Sequence, residues 1–168
     1  MDQTHIHLLI THLPIFGSLL GTLVLGYGMW KKSDSTQLAS YYVLIISALG
    51  AVIAYITGEG AEETVENIQG VSENAIEQHA DFAVYALIAL IAVGIVSLLG
   101  VYFKITKNSF AKPVATVTLV VALLSFGLVA RTGYLGGQIR HTEIASGTSQ
   151  TSGEQGGEQG GEQGGDDD

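Results

Sequence analysis

The sequence predicts an all-α membrane protein, an up-down bundle of four transmembrane helices followed by a disordered acidic tail. Three observations lead there. Four apolar runs, at 13–30, 38–57, 82–103 and 113–137, are each long enough to cross a hydrocarbon core; a core of about 30 Å takes about 20 helical residues. The runs are apolar all round, where a soluble bundle would show polar stripes at helical spacing. The charges between the runs sort by side. The first and third connections carry Lys31, Lys32, Lys104, Lys107 and Lys112, with Asp34 as their only acid. The N-terminus, the 58–81 connection and the C-terminal tail hold the rest of the 16 acids, with Arg131 and Arg140. Lys and Arg near helix ends stay cytoplasmic. The lysine loops are therefore expected inside, and both termini outside, in the periplasm of a bacterial inner membrane.

The first helix is expected to begin near Pro14, whose missing N–H suits a first turn. The stretch from His5 to His12 either extends this helix above a proline kink or lies along the interface. Gly17 and Gly21, then Gly26 and Gly28, allow close approach of a neighbouring backbone. The second helix is expected over 38–57, ending at Thr57-Gly58-Glu59-Gly60 with Gly58 as a left-handed cap. A short interfacial helix over 61–68 and a break at Gly70 follow, with Ser72 capping a second entry helix. The third membrane helix covers about 80–103 and the fourth about 113–137. Short lysine-bearing loops make antiparallel neighbours of the helices they join. Residues 1–145 thus form one membrane domain. From 146 to 168 the chain is Ser, Thr, Gly, Glu, Gln and Asp, with nothing apolar to bury, and is expected to be a disordered, solvated spacer.

Composition removes several function classes. There is no cysteine, so disulfides, thiolate metal sites and thiol nucleophiles are excluded. The start, Met1-Asp2-Gln3-Thr4-His5, lacks the basic segment of a cleaved signal peptide. A net charge of −9 argues against nucleic acid as a partner. No nucleophile–base pair, phosphate loop or HExxH motif occurs, so a hydrolase, kinase or transferase has no support, and an enzyme is not the expected reading.

All five histidines fall on the outer side. Counting back from Lys31 places His12 about 28 Å away, at the opposite edge of the hydrocarbon. His79 opens the third helix, His141 follows the fourth, and His5 and His7 precede the first. Three readings stay open. Imidazoles from two facing helices suit a b-type haem, whose iron takes a histidine from each side; His12 and His79 are the candidate pair. His12, His79, His141, His7 and His5, with Glu59, Glu62, Glu63 or Glu66, could instead hold zinc, copper or non-haem iron. In the third, the histidines are interfacial polar residues and no cofactor binds. Arg131 lies about 9 Å inside the end of the fourth helix. Asp81, Glu59 or a haem propionate could pair with it, or it could snorkel to the headgroups. Gly17 and Gly133 would leave space for a porphyrin, and Gly136 and Gly137 for a close backbone or planar ligand.

The Thr11-His12-Leu13-Pro14-Ile15 start, Thr57-Gly58, His79 opening a helix, and the Gly133-x-x-Gly136-Gly137 end resemble the bacterial four-helix membrane family catalogued as domain of unknown function 2231. The likeness covers about residues 5–143 and leaves out the tail. By motif position it carries over His12 and His79, and less closely His141. The family has no settled biochemical activity; some members are joined to Rieske-type or cytochrome-like modules, so the resemblance implies a redox setting. The leading expectation is a small membrane redox or electron-transfer subunit holding haem b near the outer face, with a periplasmic or membrane redox partner. Its rivals are a cofactor-free scaffold or assembly protein and an outer-face metal-binding protein.

Overall fold

A computed structural model of the protein describes residues 3–66 and 73–140, and over these the chain is helical. The elements are α1 (Gln3–Ile10), α2 (His12–Trp30), α3 (Asp34–Glu66), α4 (Glu73–Ile105) and α5 (Ala111–Arg140). Four spans are long and apolar enough to cross a membrane: His5–Trp30, Asp34–Glu62, Glu73–Ile105 and Ala111–Ile139. The expected fold class holds.

The first span settles the choice left open at the N-terminus. α1 and α2 are separated only by Thr11, which itself has helical angles of φ −61 and ψ −25. Thr11 N donates to His7 O and Ile15 N to Thr11 O, so the helical course continues across the junction. The break falls where Pro14 has no N–H to offer one turn back.

The second span differs from expectation. α3 passes through Thr57, Gly58 and Gly60 to Glu66 without a break, so Gly58 is not a cap and no separate helix begins at 61. Ala61 and Glu62 are good helix formers, and Ala61 is buried, so packing carries the helix past the two glycines. At 33 residues α3 is about 50 Å long, well beyond the hydrocarbon thickness. Gly70, Ser72, His141 and the tail at 146–168 lie outside the described residues.

The four long helices form a closed ring in which α2 packs on α3, α3 on α4, α4 on α5, and α5 back on α2, while α1 lies against α3. Toward the lysine end the core is Leu25, Tyr41, Leu44, Val93, Ala115 and Ala122. Toward the histidine end it is Ala51, Ala86, Leu90 and Val129. Such small residues suit a membrane bundle, where association rests on close packing rather than on a hydrophobic drive. Exposed Leu20, Leu23, Ile46, Leu49, Ile88 and Leu124 form the lipid-facing surface. Gly21 meets Leu44, and Gly28 meets Gln37, whose side chain donates to Gly28 O at 3.1 Å. Gly17 faces Ser47, whose Oγ donates to Pro14 O at 3.2 Å. The space expected beside Gly17 is therefore filled by α3.

At the lysine end, α2 and α4 close on left-handed residues, Lys32 (φ 53) and Lys107 (φ 51). Lys104 Nζ bonds Asp34 Oδ1 at 2.6 Å and ties the end of α4 to the start of α3.

Among the described residues, Tyr41 Oη, Ser97 Oγ and Ser125 Oγ are buried without a partner. A serine hydroxyl can turn to a carbonyl of its own helix, but the tyrosine hydroxyl has no such local acceptor. Tyr41→Phe should therefore leave stability unchanged or raise it by about 1 kcal/mol, read from unfolding in detergent. A loss above about 2 kcal/mol would show that the hydroxyl is bonded in the folded protein.

Candidate functional site at the histidine end

Among the described residues, the imidazoles that the fold brings inward are those of His7 and His79. The buried face of α2 carries Pro14, Gly21 and Gly28 at spacings of seven, and His7 stands seven residues before Pro14 in the same phase. The buried face of α4 carries Ala86, Val93 and Gly100 at the same spacing, with His79 seven before Ala86. Residues seven apart share a helix face to within about 20°. Both rings are half-buried.

Each ring is held in the same way. His7 Nδ1 donates to Ala54 O of α3 at 2.8 Å, with Thr57 Oγ1 3.4 Å from the same nitrogen. His79 Nδ1 donates to Thr132 O of α5 at 3.0 Å. A carbonyl oxygen only accepts, so both rings carry the proton on Nδ1 when neutral, and each Nε2 keeps its lone pair. A metal-bound histidine is commonly held by this arrangement, its far nitrogen fixed by a backbone carbonyl.

A glycine lies beside each ring, and at Gly136 a side chain would crowd it. A Cβ on Gly136 would stand 3.0 Å from His79 Cε1 and 3.2 Å from Nδ1. A Cβ on Gly58 would stand 3.4 Å from His7 Cε1. Gly133 looks instead toward Ile15 Cδ1 at 3.7 Å, and a Cβ on Gly137 would meet nothing within 4 Å.

The other candidates stand elsewhere. His12 is exposed, on the outward stripe that continues through Phe16, Leu20, Leu23, Tyr27 and Trp30. Its Nδ1 donates to Leu8 O of its own helical course at 2.8 Å, and its ring stacks with Phe16 at 6.3 Å and 11°. His5 is exposed. The Arg131 guanidinium lies over the rings of Phe82 at 5.6 Å and Tyr134 at 5.4 Å, a cation–π clamp that sequence reading missed because it joins two helices. Glu62, Glu73, Glu77 and Asp81 line, with Ile76 and Ala80, a cleft of about 310 Å³ between α3 and α4. Among the described residues no three His, Cys, Asp or Glu side chains are grouped to hold a bare metal ion.

The family described as "Predicted membrane protein (DUF2231)" matches residues 3–144. The chain belongs to this family. The DUF2231 match takes in all five helices, with His7, His79, Gly58, Gly136 and Arg131, and stops short of the acidic tail. No curated protein and no solved structure matches the chain.

Proposed function

We propose that this DUF2231 protein is a small membrane redox subunit that holds a b-type haem between His7 and His79, near an outward-facing histidine end. The observation that carries the reading is the pair of half-buried imidazoles, each with Nδ1 committed to a carbonyl on another helix and, among the described residues, no hydrogen bond at Nε2. Two imidazoles with, among the described residues, no third protein ligand grouped beside them suit a group that brings its own further ligands; zinc takes three or four from the protein. When bound, haem supplies a one-electron couple.

The chain's own groups account for the rest. The carbonyls of Ala54 and Thr132 orient the rings and raise the basicity of Nε2. Gly58 and Gly136 let the rings lie against helix backbone. Arg131 offers an exposed cation at the same end for a propionate, held by Phe82 and Tyr134. The ring of α2 to α5 excludes water from the lysine side of the site through Ala51, Ala86, Leu90 and Val129.

Haem titration of the purified apoprotein tests this reading. A reducible, low-spin bis-imidazole spectrum at one haem per chain supports it; a wild type that takes up no haem overturns it. The outward orientation rests on the lysine turns and is tested separately. A periplasm-active reporter fused after Asp168 should be active, and one inserted near Asp34 should be active only as a cytoplasmic reporter. The reverse pattern would place the histidine end inside.

A further inference from the structure

Resting on that reading, we infer that the imidazole site is a composite of two equivalent half-sites, one from each helical hairpin, and that Gly136 is a positioning residue of the second. Each half-site is a histidine, the carbonyl that holds its Nδ1, and the glycine four residues beyond that carbonyl. His7 takes Ala54 O and Gly58; His79 takes Thr132 O and Gly136.

The hairpins repeat elsewhere in the chain. Lys31 N donates to Tyr27 O, Lys32 N to Met29 O and Ser33 N to Gly28 O. In the second hairpin Thr106 N donates to Tyr102 O, Lys107 N to Lys104 O and Asn108 N to Phe103 O, the same spacings in the same order. Lys32 and Lys107 take the same left-handed angle, and Thr57-Gly58 recurs at Thr132-Gly133 in the same register as these turns. The ring order, with α2 on α3 and α4 on α5, is what a pseudo-twofold axis along the bundle produces.

The half-sites add something that a simple repeat does not. Relative to the lysine turns, His79 comes three residues early on α4, and Thr132 comes three residues late against Ala54 on α5. α4 and α5 run in opposite directions, so both displacements carry the second half-site toward the histidine end, by about 4.5 Å. Histidine and acceptor have slid together, and the glycine with them. Gly133, which keeps the sequence register, no longer touches the ring; Gly136 does. The shifted carbonyl follows from the shifted histidine, since every turn offers one, but the glycine at 136 does not follow from it.

The ligand that fits has two equivalent coordination positions, each accepting one imidazole Nε2. Haem iron is of that class; His7 and His79 would hold it, and it would supply a one-electron couple.

The test uses the full chain in lipid nanodiscs with 15N-labelled histidine, first without haem. The wild type should show His7 and His79 both as Nδ1–H tautomers. Gly136→Ala should shift the His79 nitrogens and leave those of His7 in place. Gly137→Ala, one residue on and with open space for its Cβ, should move neither ring while changing helix propensity equally. On haem titration, Gly136→Ala should bind about 10-fold more weakly, and Gly137→Ala like the wild type. An Nε2–H tautomer at either ring overturns the half-site inference. So does a Gly136→Ala protein whose His79 signals match the wild type. If Gly136→Ala fails to fold, the wild-type tautomers still decide. Both rings as Nδ1–H in a chain that takes up no haem would support the half-sites while overturning the haem reading.

Discussion

Replacing His79 with alanine is expected to abolish the low-spin haem spectrum, and His7→Ala should do the same. On the proposed reading each substitution would remove one of the two imidazoles that hold the haem and leave the other half-buried without its partner. The loss of affinity should exceed the roughly 10–100-fold that follows from losing a group behind a ligand. His12→Ala should leave the spectrum intact. Its ring is exposed against Phe16 and bonded to Leu8 O, away from the inward face that carries His7. Helical content should survive in all three proteins, because membrane helices satisfy their backbone hydrogen bonds internally. Haem binding retained in His7→Ala but lost in His12→Ala would restore the His12–His79 pairing and refute the one drawn from the fold.

The second large effect concerns the fold rather than the site. Gly100→Ala would put a Cβ 2.5 Å from Tyr41 Cζ and within 2.8 Å of both Cε atoms. Tyr41 is fully buried, packed with Leu25, Leu44 and Val93, and its ring has nowhere to retreat. The expected cost is about 1–3 kcal/mol of overpacking, larger if α3 and α4 must separate. Tyr41→Leu in the same chain should return much of it, since touching residues couple. Gly127→Ala is the control. Its Cβ meets nothing within 4 Å, so the change should be neutral or gain up to about 1 kcal/mol of helix propensity. Equal unfolding temperatures for Gly100→Ala and Gly127→Ala would contradict the packing described.

The membrane helices were legible in the sequence because a run of apolar residues needs only length to be recognised. The extension of α3 was not. Gly58 and Gly60 read as a stop, but the stop signal is local, and the burial of Ala61 that overrides it comes from packing. In the same way Gly58 reads as a cap, but it needs no unusual backbone angle, and its place in α3 is beside the His7 ring. The histidine cluster at one end was visible from charge sorting alone. Its inward members are not, because depth along the helix points to His12 as readily as to His7, and only the helical phase separates them. The heptad phase was present in the sequence all along, with His7, Pro14, Gly21 and Gly28 on one face of the helical course and His12 with Phe16 and Leu23 on the other. The carbonyls of Ala54 and Thr132 and the Arg131 clamp between Phe82 and Tyr134 had no sequence signal, since each depends on which helices become neighbours.

One measurement bears most directly on the central claim. The visible absorption spectrum of the full-length protein, purified in mild detergent from haem-replete cells, is recorded before and after dithionite and then after carbon monoxide. The account predicts a Soret band that sharpens and shifts on reduction, a narrow α-band, about one haem per chain, and no change with carbon monoxide because His7 and His79 occupy both axial positions. A colourless protein that also takes up no added haem would contradict it.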